Sequence, residues 1–110
     1  MKSYIPTPGD IVWLEFTPQA GHEQAGRRPA MVLSKKAYNQ KTGLGIFCPI
    51  TSKIKGYPFE VAVIGKKISG VVLSDQVKSL DWKARKVKFI EKVNASVLKE
   101  VISKITVIIE

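Results

Sequence analysis

The chain has 110 residues, enough for one domain with a single core and too few for two. Its 45% hydrophobic content is ordinary for a globular protein, and no run approaches the roughly 18 apolar residues that a membrane span needs. Against 9 acidic residues stand 18 basic ones, and this net charge of +9, spread along the chain rather than gathered in a tail, favours a polyanionic partner.

The opening "MKSYIPTPGD" has no continuous apolar stretch behind its lysine, so no secretory signal is expected. "DIVWLEF", residues 10–16, alternates Val12, Leu14 and Phe16 against Ile11, Trp13 and Glu15 and reads as a half-buried strand after the Pro8-Gly9 turn. "TPQAGHEQAGRR", residues 17–28, breaks that pattern with glycines, a proline and polar side chains. A loop of this length in a compact domain is usually functional, and this one is expected to be exposed and mobile. "PAMVLS" follows as a short buried strand, with Pro29 expected at its first position because proline cannot donate to a ladder. Arg27 and Arg28 stand at the mouth of that strand, where the ordinary explanation is a solvated, snorkelling pair.

"KKAYNQKTG", residues 35–43, reads as a turn region with room for one helical turn. "LGIFCPI" and "FEVAVI" are two further strands, separated by the polar, Gly- and Pro-punctuated "TSKIKGYP". "GVVLSDQVKSL" reads as a strand that turns or bulges at Ser74-Asp75. "KVKFIE" sets Val87 and Phe89 against Lys86 and Lys88, the pattern of an edge strand guarded by lysines. Asn94 can cap a helix in which Val97, Leu98, Val101, Ile102, Ile105 and Ile108 recur at spacings of three and four, making one buried stripe. The β-branched "ITVII" at its end would also suit a strand. Many short strands and one terminal helix predict a mostly β fold with short helices: a small, strongly bent antiparallel sheet or barrel with the helix packed on it.

The chemistry is narrowed by exclusion. His22 is the only histidine, so no pair of histidines can share acid and base duty within one chain. Asp10, Glu15, Glu23, Glu60, Asp75 and Asp81 are scattered singly, which gives no metal-ligand pattern. Cys48 is alone, which excludes an internal disulfide and suits a reducing, cytoplasmic compartment. No glycine-rich loop runs into Lys-Ser or Lys-Thr, so neither a metal nor a nucleotide cofactor is expected. What remains is arginines, hydroxyls and one loop carboxylate, a set better suited to stabilising a phosphorane than to activating water. RNA supplies its own nucleophile in the 2′-hydroxyl, so such a set suffices for RNA and much less so for DNA.

Glu23 is the nearby loop carboxylate that could take the 2′-hydroxyl proton, or else a solvated glutamate; His22 is read as a bystander. Ser52, Lys53, Lys55 and Tyr57 combine hydroxyl, cations and an aromatic ring, as single-strand binders do when they hold phosphate and stack a base, although Tyr57 would equally fit a core. Asp75 and Gln76 can read base edges and Lys78 can hold a backbone phosphate. Gln24 and Arg27 join the RNA-binding candidates, as does Phe16, which either stacks on a base or is buried. Thr51 offers a hydroxyl donor or an ordinary turn-forming side chain, and Trp13 and Trp82 read as packing residues.

"PGDIVWLEFTPQAGHEQAGRRPAMVLS", "CPITSKIKGYPFEV" and "GVVLSDQVKSLDWKAR" resemble, in order, the three motif blocks of the MazF/PemK toxins of bacterial toxin–antitoxin pairs. With their intervening strands they cover nearly all of the chain up to Arg85. The resemblance implies an SH3-like barrel of the CcdB/MazF type with a C-terminal helix, assembled as a homodimer. It also implies a metal-independent, sequence-selective endoribonuclease on single-stranded RNA, leaving a 2′,3′-cyclic phosphate and a 5′-hydroxyl, and silenced by a cognate MazE-like antitoxin with an acidic extension. The family's catalytic arginine stands immediately before the proline of the second strand, which is Arg28 here, and its catalytic threonine after the third strand matches Thr51. Two other readings stay open. A CcdB-like gyrase toxin would be linked to a C-terminal Trp-Gly-Ile, whereas this chain ends "VIIE", and a non-catalytic SH3-like RNA-binding module would use the charge alone.

Overall fold

The computed structural model describes residues 3–15 and 26–110. Alternating apolar residues build β1 (Asp10–Glu15), β2 (Arg27–Val32), β3 (Leu44–Thr51), β4 (Glu60–Ile64), β5 (Ser69–Leu73), β6 (Lys78–Asp81) and β7 (Lys88–Lys92). Between β2 and β3 lies α1 (Lys36–Thr42), and α2 (Ala95–Ile109) closes the chain. The strands pair antiparallel in the order β4-β5-β3-β2-β1-β7, with β6 also on β3. β3 shares its length among three partners: Leu44–Phe47 meet β6, Phe47–Pro49 meet β2, and Ile50 and Thr51 meet β5. Handing one strand between neighbours bends the sheet into a half-barrel, the mostly β fold with a terminal helix that the patterning predicts.

The alternation feeds two cores rather than one. Ile11, Met31, Cys48, Ile50, Val72 and Ile90 point to the face covered by Val101 of α2. Val12, Leu14, Ala30, Val32 and Phe47 point to the other face, closed by Trp82 with Tyr4 and Ile5 of the N-terminal segment. β1 is therefore buried on both faces, not half-buried: Trp82 and the N-terminal segment cover Val12 and Leu14, while Ile11, on the side expected to face water, is buried in the core that includes Val101 of α2. Beneath Trp82 the polar atoms are paired: its indole N–H donates to the carbonyls of Asn39 (3.2 Å) and Leu44 (3.1 Å). The buried Asn39 amide in turn donates to Pro6 O (2.8 Å) and Ser34 O (3.1 Å).

Other expectations shift in detail. β2 begins at Arg27, so Pro29 is its third residue; β3 reaches β2 only from Ala30 onward, leaving the missing N–H where the strand has one neighbour. The 35–43 region holds a seven-residue helix rather than a single turn, ended by Gly43 at φ 74°. "GVVLSDQVKSL" does break at Ser74, where a 3-10 turn (Ser74–Gln76) separates β5 from β6. β7 is an edge strand; a register shift opposite Ile11 and Val12 adds Ile90, which is buried, while Phe89, opposite Val12 and beside Tyr4, is 46% exposed. α2 is capped by Asn94, whose side chain accepts from Ser96 N at 3.0 Å, and "ITVII" is helical. Its stripe is only partly buried. Val101 is fully covered and Val97, Leu98 and Ile105 pack beside it, while Ile102 and Ile108 are exposed together with Val107 and Ile109.

Candidate active site

At the Thr51 end of β3 the sheet opens into a cleft of about 390 Å3. Arg28 enters it from β2, Thr51 from the last position of β3, Lys53, Lys55 and Tyr57 from the β3–β4 loop, and Asp75 and Gln76 from the 3-10 turn. Seven residues singled out in three separate stretches of sequence thus meet in one place. Arg28 is exposed, and no carboxylate among the described residues pairs with it, so its charge is open to an anion.

Thr51 reconciles its two readings. Its Oγ1 accepts from Lys53 N at 3.1 Å, forming the turn, and a hydroxyl that accepts in this way keeps its own proton to donate. The close approach of β5 fixes its backbone: a Cβ at Gly70 would overlap the Thr51 carbonyl oxygen. Tyr57 is on the surface rather than in the core, 49% exposed and edge-on to Phe59 with centroids 6.0 Å apart. Hydrogen bonding to Asp75 and the charge of that carboxylate push its phenol above the ordinary value. Beneath, Cys48 is inert. Burial first, and the Asp75 charge second, push its thiol up to about 12.

Two side chains that shape this cleft escape the sequence reading. Glu60, read there as one scattered carboxylate among several, accepts from the N–H groups of Lys55 (3.0 Å) and Gly56 (3.1 Å) and so holds the loop that carries both lysines. Lys104 of α2 donates to Pro58 O at 2.8 Å and pins the same loop from behind. A carboxylate four residues after Gly56, which sits at φ 77°, was the available signal for the first; nothing local marks the second.

The remaining candidates lie elsewhere. Ser52 lies beside the cleft, on the other side of Thr51. Arg27 stacks on Trp13, 5.0 Å from the ring centroid, opposite Glu15, and Lys78 opens β6 opposite Phe47. Trp82 is the packing residue expected, and Trp13 packs against the core on the α2 side while carrying Arg27. Phe16, His22, Glu23 and Gln24 fall outside the described residues. Among the described residues no group of three His, Cys, Asp or Glu could hold a metal ion, and no helix is long and apolar enough to cross a membrane.

Comparison with known proteins gives the family and the fold. A family model described as PemK-like, MazF-like toxin of type II toxin-antitoxin system matches residues 7–109. The endoribonuclease toxin MazF of Escherichia coli (strain K12) is 52% identical over 85 residues, 77% of this chain and 77% of the relative. Among solved structures, MazF (Form-I) from Deinococcus radiodurans is 53% identical, with a TM-score of 0.87 over 97% of this chain and 98% of that one. A chain of the MazE-MazF crystal structure (Form-III) from the same organism is 50% identical, with a TM-score of 0.90 over 96% and 97%.

Proposed function

The chain belongs to the PemK-like, MazF-like toxin family, and from that premise we propose how its cleft works: as an endoribonuclease toxin, it cuts single-stranded RNA at a phosphate seated on Arg28 and Thr51. The observation that carries this reading is the meeting of those two residues, from different strands, in one cleft with Lys53, Lys55, Tyr57, Asp75 and Gln76.

In the reaction the 2′-oxygen attacks the adjacent phosphorus and the bond to the 5′-oxygen breaks. The products are a 2′,3′-cyclic phosphate and a 5′-hydroxyl. Arg28 stays protonated throughout and stabilises the charge that gathers on the equatorial oxygens of the phosphorane. The Thr51 hydroxyl donates to a phosphoryl or leaving oxygen. Glu23, assigned from its place in the sequence, takes the 2′-hydroxyl proton, with no metal ion required. Lys53 and Lys55 hold backbone phosphate, Tyr57 stacks a base, and Asp75 and Gln76 read base edges. Phe16, Gln24, Arg27, Ser52 and Lys78 extend the RNA surface beyond the cleft.

The whole chain serves as one toxin domain, acting in the cytoplasm as a homodimer. The exposed Ile102, Val107, Ile108 and Ile109 of α2 give a second copy an apolar face to cover. Solved MazE-MazF complexes from Deinococcus radiodurans place an antitoxin beside a relative. Here a cognate MazE-like antitoxin would bring an acidic segment that competes with RNA for the net charge of +9.

Incubation with a long RNA in EDTA tests the reading. Discrete cuts, and growth arrest on expression that an acidic cognate partner relieves, are expected. RNA bound but left intact would make the chain a binding module, and gyrase poisoning without cuts would make it a CcdB-like toxin.

A further inference from the structure

Beyond Arg28 and Thr51 the surface falls into a second cleft of about 400 Å3, on the side away from Asp75. Arg28, Ile50, Thr51 and Lys53 line both clefts, so the catalytic pair stands on the ridge between them. The far wall of the second is the β4–β5 turn with the start of β5: Lys67, Ile68 and Ser69. It is close because β5 is close. Only a glycine at position 70 lets that strand pass against the Thr51 carbonyl, and Lys67 and Ser69 are carried in with it.

The turn is built to hold still. Glu91, reaching over from β7, accepts the N–H groups of Lys66 (2.9 Å), Lys67 (2.9 Å) and Ile68 (2.8 Å), and Gly65 N closes the turn on Ile68 O at 2.8 Å. A carboxylate that spends its oxygens on backbone donors fixes the loop while leaving the lysine side chains to act outward. The two lysines then diverge: Lys67 lines the second cleft, whereas Lys66 lines a separate hollow with Glu91, Asn94 and Val97.

The two clefts differ in chemistry. Beside its three cations, Arg28, Lys53 and Lys55, the first offers two carboxylates, Glu60 and Asp75, an amide and a ring, groups that discriminate bases. The second offers three cations, Arg28, Lys53 and Lys67, with the hydroxyls of Ser52 and Ser69, and no carboxylate among the described residues lines it. Cations and hydroxyls without a carboxylate suit a phosphodiester, whatever its base. Cleavage at the ridge needs RNA on both sides of it.

Resting on the endoribonuclease reading, we propose that the second cleft is a nucleotide site in which Lys67, with Ser52 and Ser69, holds the backbone phosphate on the side of the scissile bond opposite the base read by Asp75 and Gln76. The site sets how tightly RNA is held and leaves sequence choice to the first cleft.

The test compares Lys67→Ala with its neighbour Lys66→Ala on one RNA containing the cut site, and on the same RNA truncated close to the cut on either side. Lys67→Ala raises KM severalfold on the full RNA with kcat and cleavage sequence unchanged, and loses that effect on one of the two truncations. With the RNA made uncleavable by a 2′-deoxy nucleotide at the cut, it makes the slope of log K against log salt shallower by about 0.7, the single-strand increment for one phosphate contact. Lys66→Ala does none of these. If wild-type protein cuts but the two variants behave alike, or Lys67→Ala acts equally on both truncations, this proposal falls and the endoribonuclease reading stands. A Lys67→Ala defect that disappears at high protein concentration would place the lysine in subunit contact and overturn it as well. If the wild-type protein neither binds nor cuts RNA, the reading of the ridge falls and the proposal with it.

Discussion

At its Leu44 end, β3 lies beneath Trp82, where an indole N–H and a buried amide are matched to backbone carbonyls. At its Thr51 end the same strand meets exposed cations that no carboxylate among the described residues pairs with. The first arrangement holds the fold, and the second leaves positive charge open to an anion. A satisfied buried network rigidifies, whereas an open cationic cleft keeps its electrostatic attraction for an incoming anion. Substitutions at the two ends should therefore separate stability from activity.

Trp82→Ala gives the largest effect. It removes a buried aromatic ring and one of the donors to the carbonyls of Asn39 and Leu44, so denaturant unfolding should show a loss of about 3–5 kcal/mol. Protein that remains folded should keep its cleavage sequence. Arg28→Ala is the mirror image: an unchanged unfolding midpoint with cleavage slower by a factor of roughly 100 to 1000, the loss of one oxyanion-type donor. Arg27→Ala, acting on a side chain stacked over Trp13, should lose much less. Equal losses for the two arginines would mean that both merely bind.

Smaller effects sharpen the contrast. Glu60→Ala frees the N–H groups of Lys55 and Gly56 at an exposed position where water replaces the carboxylate, so stability should hold. The loop loses its ordering, and if that is worth roughly 1 kcal/mol of binding, KM rises about fivefold with kcat nearly constant. Glu60→Gln, which keeps one acceptor, should recover part of it. The smallest effect is at Glu91. Burial pushes its carboxyl up, but three backbone N–H donors and the charge of Lys67 outweigh this and hold it below the ordinary glutamate value. A group depressed in the folded state contributes its stabilisation in full above its unfolded value and loses it as pH falls through the folded one. Acid unfolding curves of Glu91→Gln should accordingly lie below wild type near neutrality and converge with it in acid.

The sequence showed the strands because their side chains alternate, and the helix because Asn94 precedes residues spaced by three and four. It did not show that both faces of β1 are covered, since that depends on α2, at the far end of the chain, packing on the core that holds Ile11. Nor did it place Ile90 in the core: Ile90 is the extra residue of a bulge, and alternation cannot register an inserted position. Arg28, Thr51 and Asp75 were legible as motif residues. Glu60, Gly70, Lys67 and Lys104 were not, because each acts on a neighbour that only the folded sheet supplies: a loop amide, a carbonyl on the next strand, the ridge of the cleft, a turn behind α2.

The central claim is that the RNA attacks itself on a ridge formed by Arg28 and Thr51. It is tested most directly by removing one atom of substrate, the 2′-oxygen of the nucleotide just upstream of a mapped cut, so that hydrogen stands in place of the hydroxyl. The deoxy RNA should bind with an affinity close to that of the all-ribose RNA, remain uncut in EDTA, and leave every other cut site unaffected, while the all-ribose RNA gives a 2′,3′-cyclic phosphate and a 5′-hydroxyl. Cleavage at the deoxy site would contradict the account, because water or a protein group would then have to be the nucleophile.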